Sequence, residues 1–205
     1  MGTQIPPERE LAATMQVSRA VVNSGIKELM RKGFLVVRPR IGTFVADYRR
    51  DGTIETFLSI VSYNGGNLRQ EEIRSILELR IALDTLAVEL CAARITDSEI
   101  AQLREATEQI GNAGTPEDAV KHAFNFQHQL ALYSGNALLP VLFTSFKSIT
   151  RTLWLRFCSL YGISVLYENT NALCIKLEQR DFEGAAICLK ASVQNTIQGD
   201  KKIYY

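Results

Sequence analysis

Only two short stretches of this chain are rich in β-forming residues, FLVVR at 34–38 and TFVAD at 43–47, and four residues, Pro39-Arg40-Ile41-Gly42, separate them. That spacing predicts a single hairpin. Apolar residues elsewhere recur at helical spacing, so a sheet protein is excluded and the expected class is mainly α. Before the hairpin, Pro6 and Pro7 lead into ERELAATM, which puts Leu11, Ala12 and Met15 on one face of a short helix. Gln16 and Val17 form a tight turn, and Ser18 is a good N-cap. Val22, Ile26, Leu29 and Met30 then carry a second helix as far as Gly33, a C-terminal stop. Helix, turn, helix, hairpin is the order of a winged helix-turn-helix.

The polar stretch Asp47 to Thr53 reads as a connection, which gives a winged unit at 1–47, a linker at 48–53 and a helical unit at 54–205. Helices are expected near 53–63 and 68–94, separated by the NGGN break. Thr96-Asp97-Ser98-Glu99 is a capping box that opens another, and Thr115-Pro116-Glu117-Asp118 opens a helix that Ser134-Gly135-Asn136 closes. Three more are expected over about 137–161, 164–179 and 183–198, with breaks at Gly162 and at Arg180-Asp181. The whole reads as an antiparallel helical bundle behind a small winged module, without repeats or low-complexity tracts.

Charge divides along the same line. The chain of 205 residues has a net charge of +1, yet residues 1–50 hold nine basic and four acidic side chains, a net of +5. The remainder holds 14 basic and 18 acidic, a net of −4. A basic module on a mildly acidic one suggests that the first part meets a polyanion. No apolar run reaches the length of a membrane span, and MGTQIPPERE lacks the apolar core of a signal peptide, so the expected location is the cytoplasm. Cys91, Cys158, Cys174 and Cys188 lie far apart in apolar helical stretches and read as reduced hydrophobes.

The stretch PPERELAATMQVSRAVVNSGIKELMRKGFLVVRPRIGTFV resembles the DNA-binding domain of GntR-family bacterial transcription regulators, with its E-R-E-L-A, V-S-R and G-T-F-V motifs at the usual spacings. The helical remainder, through ELRIALDTLAVELCAARIT and LALYSGNALL, resembles the C-terminal effector domain of the FadR-like subfamily, the FCD type. Physical reasoning supports the first match on its own. A helix capped by Ser18 presents Ser18, Arg19 and Ala20 at its N-terminal end, where free backbone N–H groups favour phosphate and side chains reach base edges. The fork of Arg19 matches guanine O6 and N7, while a merely solvated face is the alternative for Arg19 and Arg9. The resemblance implies that Arg9 also contacts double-stranded DNA and that the wing turn, Arg40 to Gly42, touches the minor groove.

Three departures from the family pattern stand out. Asn23 occupies a position where these regulators commonly carry arginine, and its amide suits adenine instead. Pro39-Arg40 replaces a Gly-bearing wing turn, so Arg40 either enters a narrow minor groove or binds phosphate. The N-terminal helix that usually precedes the first motif does not precede it here, which predicts a thin core for the winged unit.

In the expected effector domain, Ile73, Ile76, Leu77, Leu83, Ala87 and Leu90 form an apolar stripe that also holds Arg80 and Asp84. Such an inward pair is either a structural ion pair or a ligand-binding arginine held by a carboxylate. Gln127 lies on the stripe of Ala119, Val120, Ala123 and Leu130; Thr170 on that of Leu166, Leu173 and Leu177; Ser192 on that of Ala185 and Leu189. One polar residue per apolar face suits a shared cavity for a small organic acid or acyl-type effector.

By resemblance, such cavities often hold a metal on an Asp and three His, but Ala123, Gln127, Thr170 and Ser192 occupy those positions here, so no metal or other cofactor is expected. His122 and His128, six residues apart, fall on different helix faces. No enzyme motif is present. Trp154, Phe157, Phe143 and Phe146 read as core or dimer contacts. The combined expectation is a homodimeric regulator of a palindromic operator; the alternative is a helical dimerisation or ligand-binding protein whose N-terminal module no longer binds DNA.

Overall fold

The computed structural model describes residues 2–62 and 68–203. The expected NGGN break at 64–67 lies outside these. Helix α1 (Glu8–Met15) follows the two prolines, and its end is set by Gln16, whose φ of 54° is left-handed. The Gln16 N–H donates to Ala13 O and the Val17 N–H to Ala12 O, at 3.3 and 3.1 Å, so two orphan carbonyls are satisfied as the chain reverses. Helix α2 (Arg19–Arg31) starts at Ser18, whose hydroxyl accepts from the Val21 N–H at 3.3 Å. Gly33, at φ +75°, ends it, and a Cβ there would come within 2.8 Å of the Thr56 hydroxyl.

Strands β1 (Leu35–Arg38) and β2 (Gly42–Val45) pair antiparallel, Leu35 opposite Val45 and Arg38 opposite Gly42. Residues 2–5 extend this ladder along β2, with Gly2 N–H to Val45 O, Val45 N–H to Thr3 O and Ile5 N–H to Thr43 O all at 2.9 Å. That third segment, only four residues long, was not anticipated from sequence although Thr3 and Ile5 alternate in it. Ala12, Val22, Ile26 and Leu35 form a small core flanked by Ile5, Leu11 and Val45. Met15, Leu29 and Met30, assigned to the apolar faces by their spacing, are exposed.

The connection expected at 48–53 contains a helical turn, α3 (Tyr48–Asp51), and α4 (Ile54–Ser62) belongs to the first compact unit, Met1–Gly65, rather than to the second, Gly66–Tyr205. The cause is side-chain pairing invisible to local pattern. Thr56 is buried and donates its hydroxyl to the Lys32 carbonyl at 2.6 Å, while Arg31 pairs with Glu55 at 2.5 Å.

The second unit is all helix: α5 (Gln70–Cys91), α6 (Asp97–Gly111), α7 (Pro116–Tyr133), α8 (Leu139–Ser145), α9 (Lys147–Tyr161), α10 (Ile163–Glu178) and α11 (Phe182–Gln198). Thr96 and Glu99 cap α6 reciprocally, Thr115 caps α7 ahead of Pro116, and Asp181 accepts from the Gly184 N–H to cap α11. The helix expected over 137–161 is two helices. Ser145 donates its hydroxyl back to the Val141 carbonyl, a bond that loosens the last turn of α8, and Phe146 sits at φ −91°, ψ 1° between them.

Short connections at 112–115 and 179–181 turn α7 back along α6 and α11 back along α10. The resulting core joins α5, α6, α7, α10 and α11 through Val88, Cys91, Leu103, Ala131, Cys174, Leu177 and Ala185. Burying one such leucine contributes roughly 2 kcal/mol. All four cysteines are free, and burial pushes the Cys91 thiol up to about 12 and the Cys158 thiol to about 11, which keeps them protonated. Among the described residues, no helix is long and apolar enough to cross a membrane.

The left-handed Gln16 generates a prediction. Gln16→Gly removes the Cβ penalty at the turn between α1 and α2, and stabilises the first unit by about 1 kcal/mol. Slower amide hydrogen exchange across α1 and α2 of the full chain is the expected readout.

Candidate functional site

Two groups of residues singled out by sequence fall in separate units. In the first unit, Ser18, Arg19 and Ala20 are exposed at the start of α2, and Arg9 is exposed on α1. The first turn of α2 carries no acidic residue, so its N–H end is free of competing anions. Arg40 is exposed in a four-residue turn closed by the Ile41 N–H to the Arg38 carbonyl at 3.0 Å. Pro39 fits the second position of that turn, and Arg40 takes a φ of 66°, where glycine or asparagine is usual. Gly42 starts β2 beneath the side chain of Gln4, which donates to Ile41 O at 3.0 Å. Asn23 departs from the expected outward placement. It is half-buried, and its Nδ2 donates to Glu8 Oε1 at 3.0 Å, so α1 already engages the amide.

In the second unit, Arg80, Asp84, Gln127, Thr170 and Ser192 all line one cavity of about 80 Å³ between α5, α7, α9, α10 and α11. That volume has room for roughly six water-sized atoms. Leu77, Phe126, Leu173 and Val193 give it apolar walls. Arg80 Nε donates to Asp84 Oδ2 at 2.9 Å and Gln127 Nε2 to Asp84 Oδ1 at 2.7 Å, so the carboxylate is held from both sides. Asp84 is almost fully buried, and burial pushes its carboxyl up against the opposing pull of Arg80 and of the Gln127 hydrogen bond.

The guanidinium carbon of Arg80 lies over the Trp154 ring, 4.5 Å from its centre, a cation–π contact. Among the described residues, neither terminal nitrogen of Arg80 has a hydrogen-bond partner, and Gln127 Oε1 is buried without one. Thr170 is more committed, since its hydroxyl donates to the Leu166 carbonyl at 2.9 Å.

Sequence reasoning missed the role of Trp154 as the platform under Arg80. It also missed Asn169 and Thr196, which line the same cavity. Thr196 lies four residues after Ser192, a helical spacing that would have revealed it. His122 and His128 were expected on separate faces; both line a different recess, on the outside of α7, because they lie about 120° apart the short way round the helix and the recess wraps more than that arc.

A transition metal does not suit the cavity. Its alanine, glutamine, threonine and serine positions are poor ligands, and Asp84 is its single carboxylate, already held by two partners. Among the described residues, no three His, Cys, Asp or Glu side chains gather in a metal-holding group.

The family model of bacterial regulatory proteins, GntR family, matches residues 1–45, and that of the FCD domain matches residues 75–195, more than half of the chain. The chain belongs to the FadR-like, FCD-bearing branch of the GntR family. Relatives of this FCD-bearing chain include the HTH-type transcriptional regulator Mce2R of Mycobacterium tuberculosis, 29% identical over 72% of this chain and 61% of that protein. The HTH-type transcriptional repressor NanR of Salmonella bongori is 30% identical over 69% of this chain and 53% of its own length. The chain thus spans a little over half the length of these regulators. In fold it is similar to the solved structure of Streptococcus agalactiae GntR, with a TM-score of 0.54 and 22% identity over 96% of this chain and 90% of that one. These relatives are transcription regulators, not enzymes.

The raised Asp84 carboxyl has a consequence with a definite sign. A buried acid whose folded-state value lies above the ordinary 3.8 weakens the fold progressively as pH rises from 3.8 through that folded value. In melting experiments between pH 4 and 7.5, the melting temperature of Asp84→Asn relative to the parent is therefore expected to rise with pH. The opposite trend would show that Arg80 outweighs burial.

Proposed function

We propose that this GntR-family chain is a ligand-responsive transcription regulator of the cytoplasm, in which α2 reads a double-stranded operator and the α5–α11 cavity takes a small anionic effector. The observation that supports it most is the state of Arg80. Its Nε is tied to Asp84, its guanidinium lies over the Trp154 ring and its side chain lines the cavity, while among the described residues neither terminal nitrogen has a protein acceptor. A guanidinium prepared in this way suits a carboxylate, which it binds through two parallel N–H donors. The unpartnered Gln127 Oε1 asks the same ligand for a hydrogen-bond donor, such as a hydroxyl or amine. A volume of about 80 Å³ suits a short hydroxy or amino acid better than a long acyl chain.

On the DNA side, Arg19 and the free N–H groups behind Ser18 suit the major groove, with Arg9 and Arg40 on flanking phosphates or the minor groove. Asn23 reads adenine only where it gives up Glu8. As a homodimer on a palindrome, the protein needs its two α2 helices about one DNA turn, roughly 34 Å, apart. An effector alters DNA affinity only by binding one arrangement better than the other, and DNA alters effector affinity by the same factor.

Arg19→Ala is expected to weaken binding to an operator from the protein's own upstream region by about 1–3 kcal/mol, with the helical unit still folded. Unchanged affinity would remove Arg19 from base reading. For the cavity, a thermal-shift screen of small organic acids identifies a stabilising anion, and Arg80→Met abolishes its shift. Equal stabilisation of the variant would place the effector elsewhere and make Arg80 structural.

A further inference from the structure

A second recess lies on the opposite side of α7 from the effector cavity, between that helix and the start of α9, with a volume of about 540 Å³. Its polar lining is cationic. Lys121, His122 and His128 of α7 face Lys147 and Arg151 of α9, and among the described residues no aspartate or glutamate lines it. Among the described residues, none of Lys121, Lys147 and Arg151 takes part in an ion pair, and Arg151 Nε is buried without a hydrogen-bond partner. Lys147 is held in place by the Phe124 ring, 5.0 Å beneath its ammonium, and His128 Nε2 lies 3.2 Å from the Thr144 hydroxyl.

Three cations brought into one concavity repel one another, and no described residue pairs with them. The geometry points to a second ligand site here, for a small molecule carrying a phosphoryl group. A single carboxylate would leave two of the three cations uncompensated. A phosphoryl group brings a charge of about −1.5 to −2 and three strong acceptor oxygens, enough to engage Arg151 and both lysines together. The remaining volume takes an organic body, and the amides of Gln109 and Asn125 offer it neutral hydrogen bonds. The site is separate from Arg80 and does not depend on the DNA-reading role.

Calorimetric titration of the full chain with inorganic pyrophosphate at constant ionic strength tests this. Lys121 and Lys147 are exposed, so Lys121→Gln/Lys147→Gln keeps the fold, as circular dichroism would verify. The parent and Arg80→Met are expected to bind alike, and the double variant about tenfold more weakly or worse. Arg151→Gln loses affinity similarly. Equal binding by parent and double variant overturns the site, as does binding lost in Arg80→Met alone. Displacement of pyrophosphate by a mixed-sequence DNA duplex at equal phosphate concentration also overturns it, by showing that the lysines serve nucleic acid.

Discussion

The buried carboxylate of Asp84 organises the second unit. A charge so nearly removed from water is tolerated only where partners satisfy it, and here one comes from its own helix and one from the facing helix. Arg80 and Gln127 are thereby fixed in orientation, and Trp154 closes the stack beneath the guanidinium. What these side chains do not spend on Asp84 becomes the polar character of the cavity. Sequence alone left the pair of Arg80 and Asp84 open between a structural ion pair and a ligand-binding arginine; in the structure the carboxylate orients an arginine that also lines the space between the helices.

The two faces of α7 border two spaces with different linings. Gln127 lines the inner cavity, and its buried Oε1 has no partner among the described residues, where an unmet acceptor is costly. On the outside, Lys121 and the two histidines meet α9 across a wider recess in which charge, not hydrogen-bond count, dominates. Phe126 and Leu130 pack in the bundle core and line the inner cavity, so the body of α7 lies between the two spaces.

Helix ends were legible because caps are local: Ser18, Thr96 and Thr115 each accept a hydrogen bond from a backbone N–H three residues on. The five cavity residues were legible because a polar side chain on an apolar stripe must point inward. Long-range pairing was not. The attachment of α4 through Thr56, the docking of residues 2–5 along β2 and the capture of Asn23 by Glu8 each join residues fifteen or more positions apart. The break at Phe146 was hidden for another reason, since its neighbours have ordinary helix-forming side chains and the bond that loosens α8 involves the hydroxyl of Ser145, which also suits a helix interior.

The fastening of α4 to the end of α2 acts as a lever. Thr56 and Glu55 grip Lys32 and Arg31, at the opposite end of α2 from Ser18. Thirteen residues at 1.5 Å each make that helix about 20 Å long. A torque on α4 that tilts α2 by only about 5° about its gripped end sweeps Arg19 sideways by roughly 1.7 Å, set by that same rise per residue. The donor–acceptor distance of a good hydrogen bond varies by only about 0.5 Å, so a swing too small to count as a change of shape is enough to make or break any hydrogen bond that the Arg19 guanidinium forms.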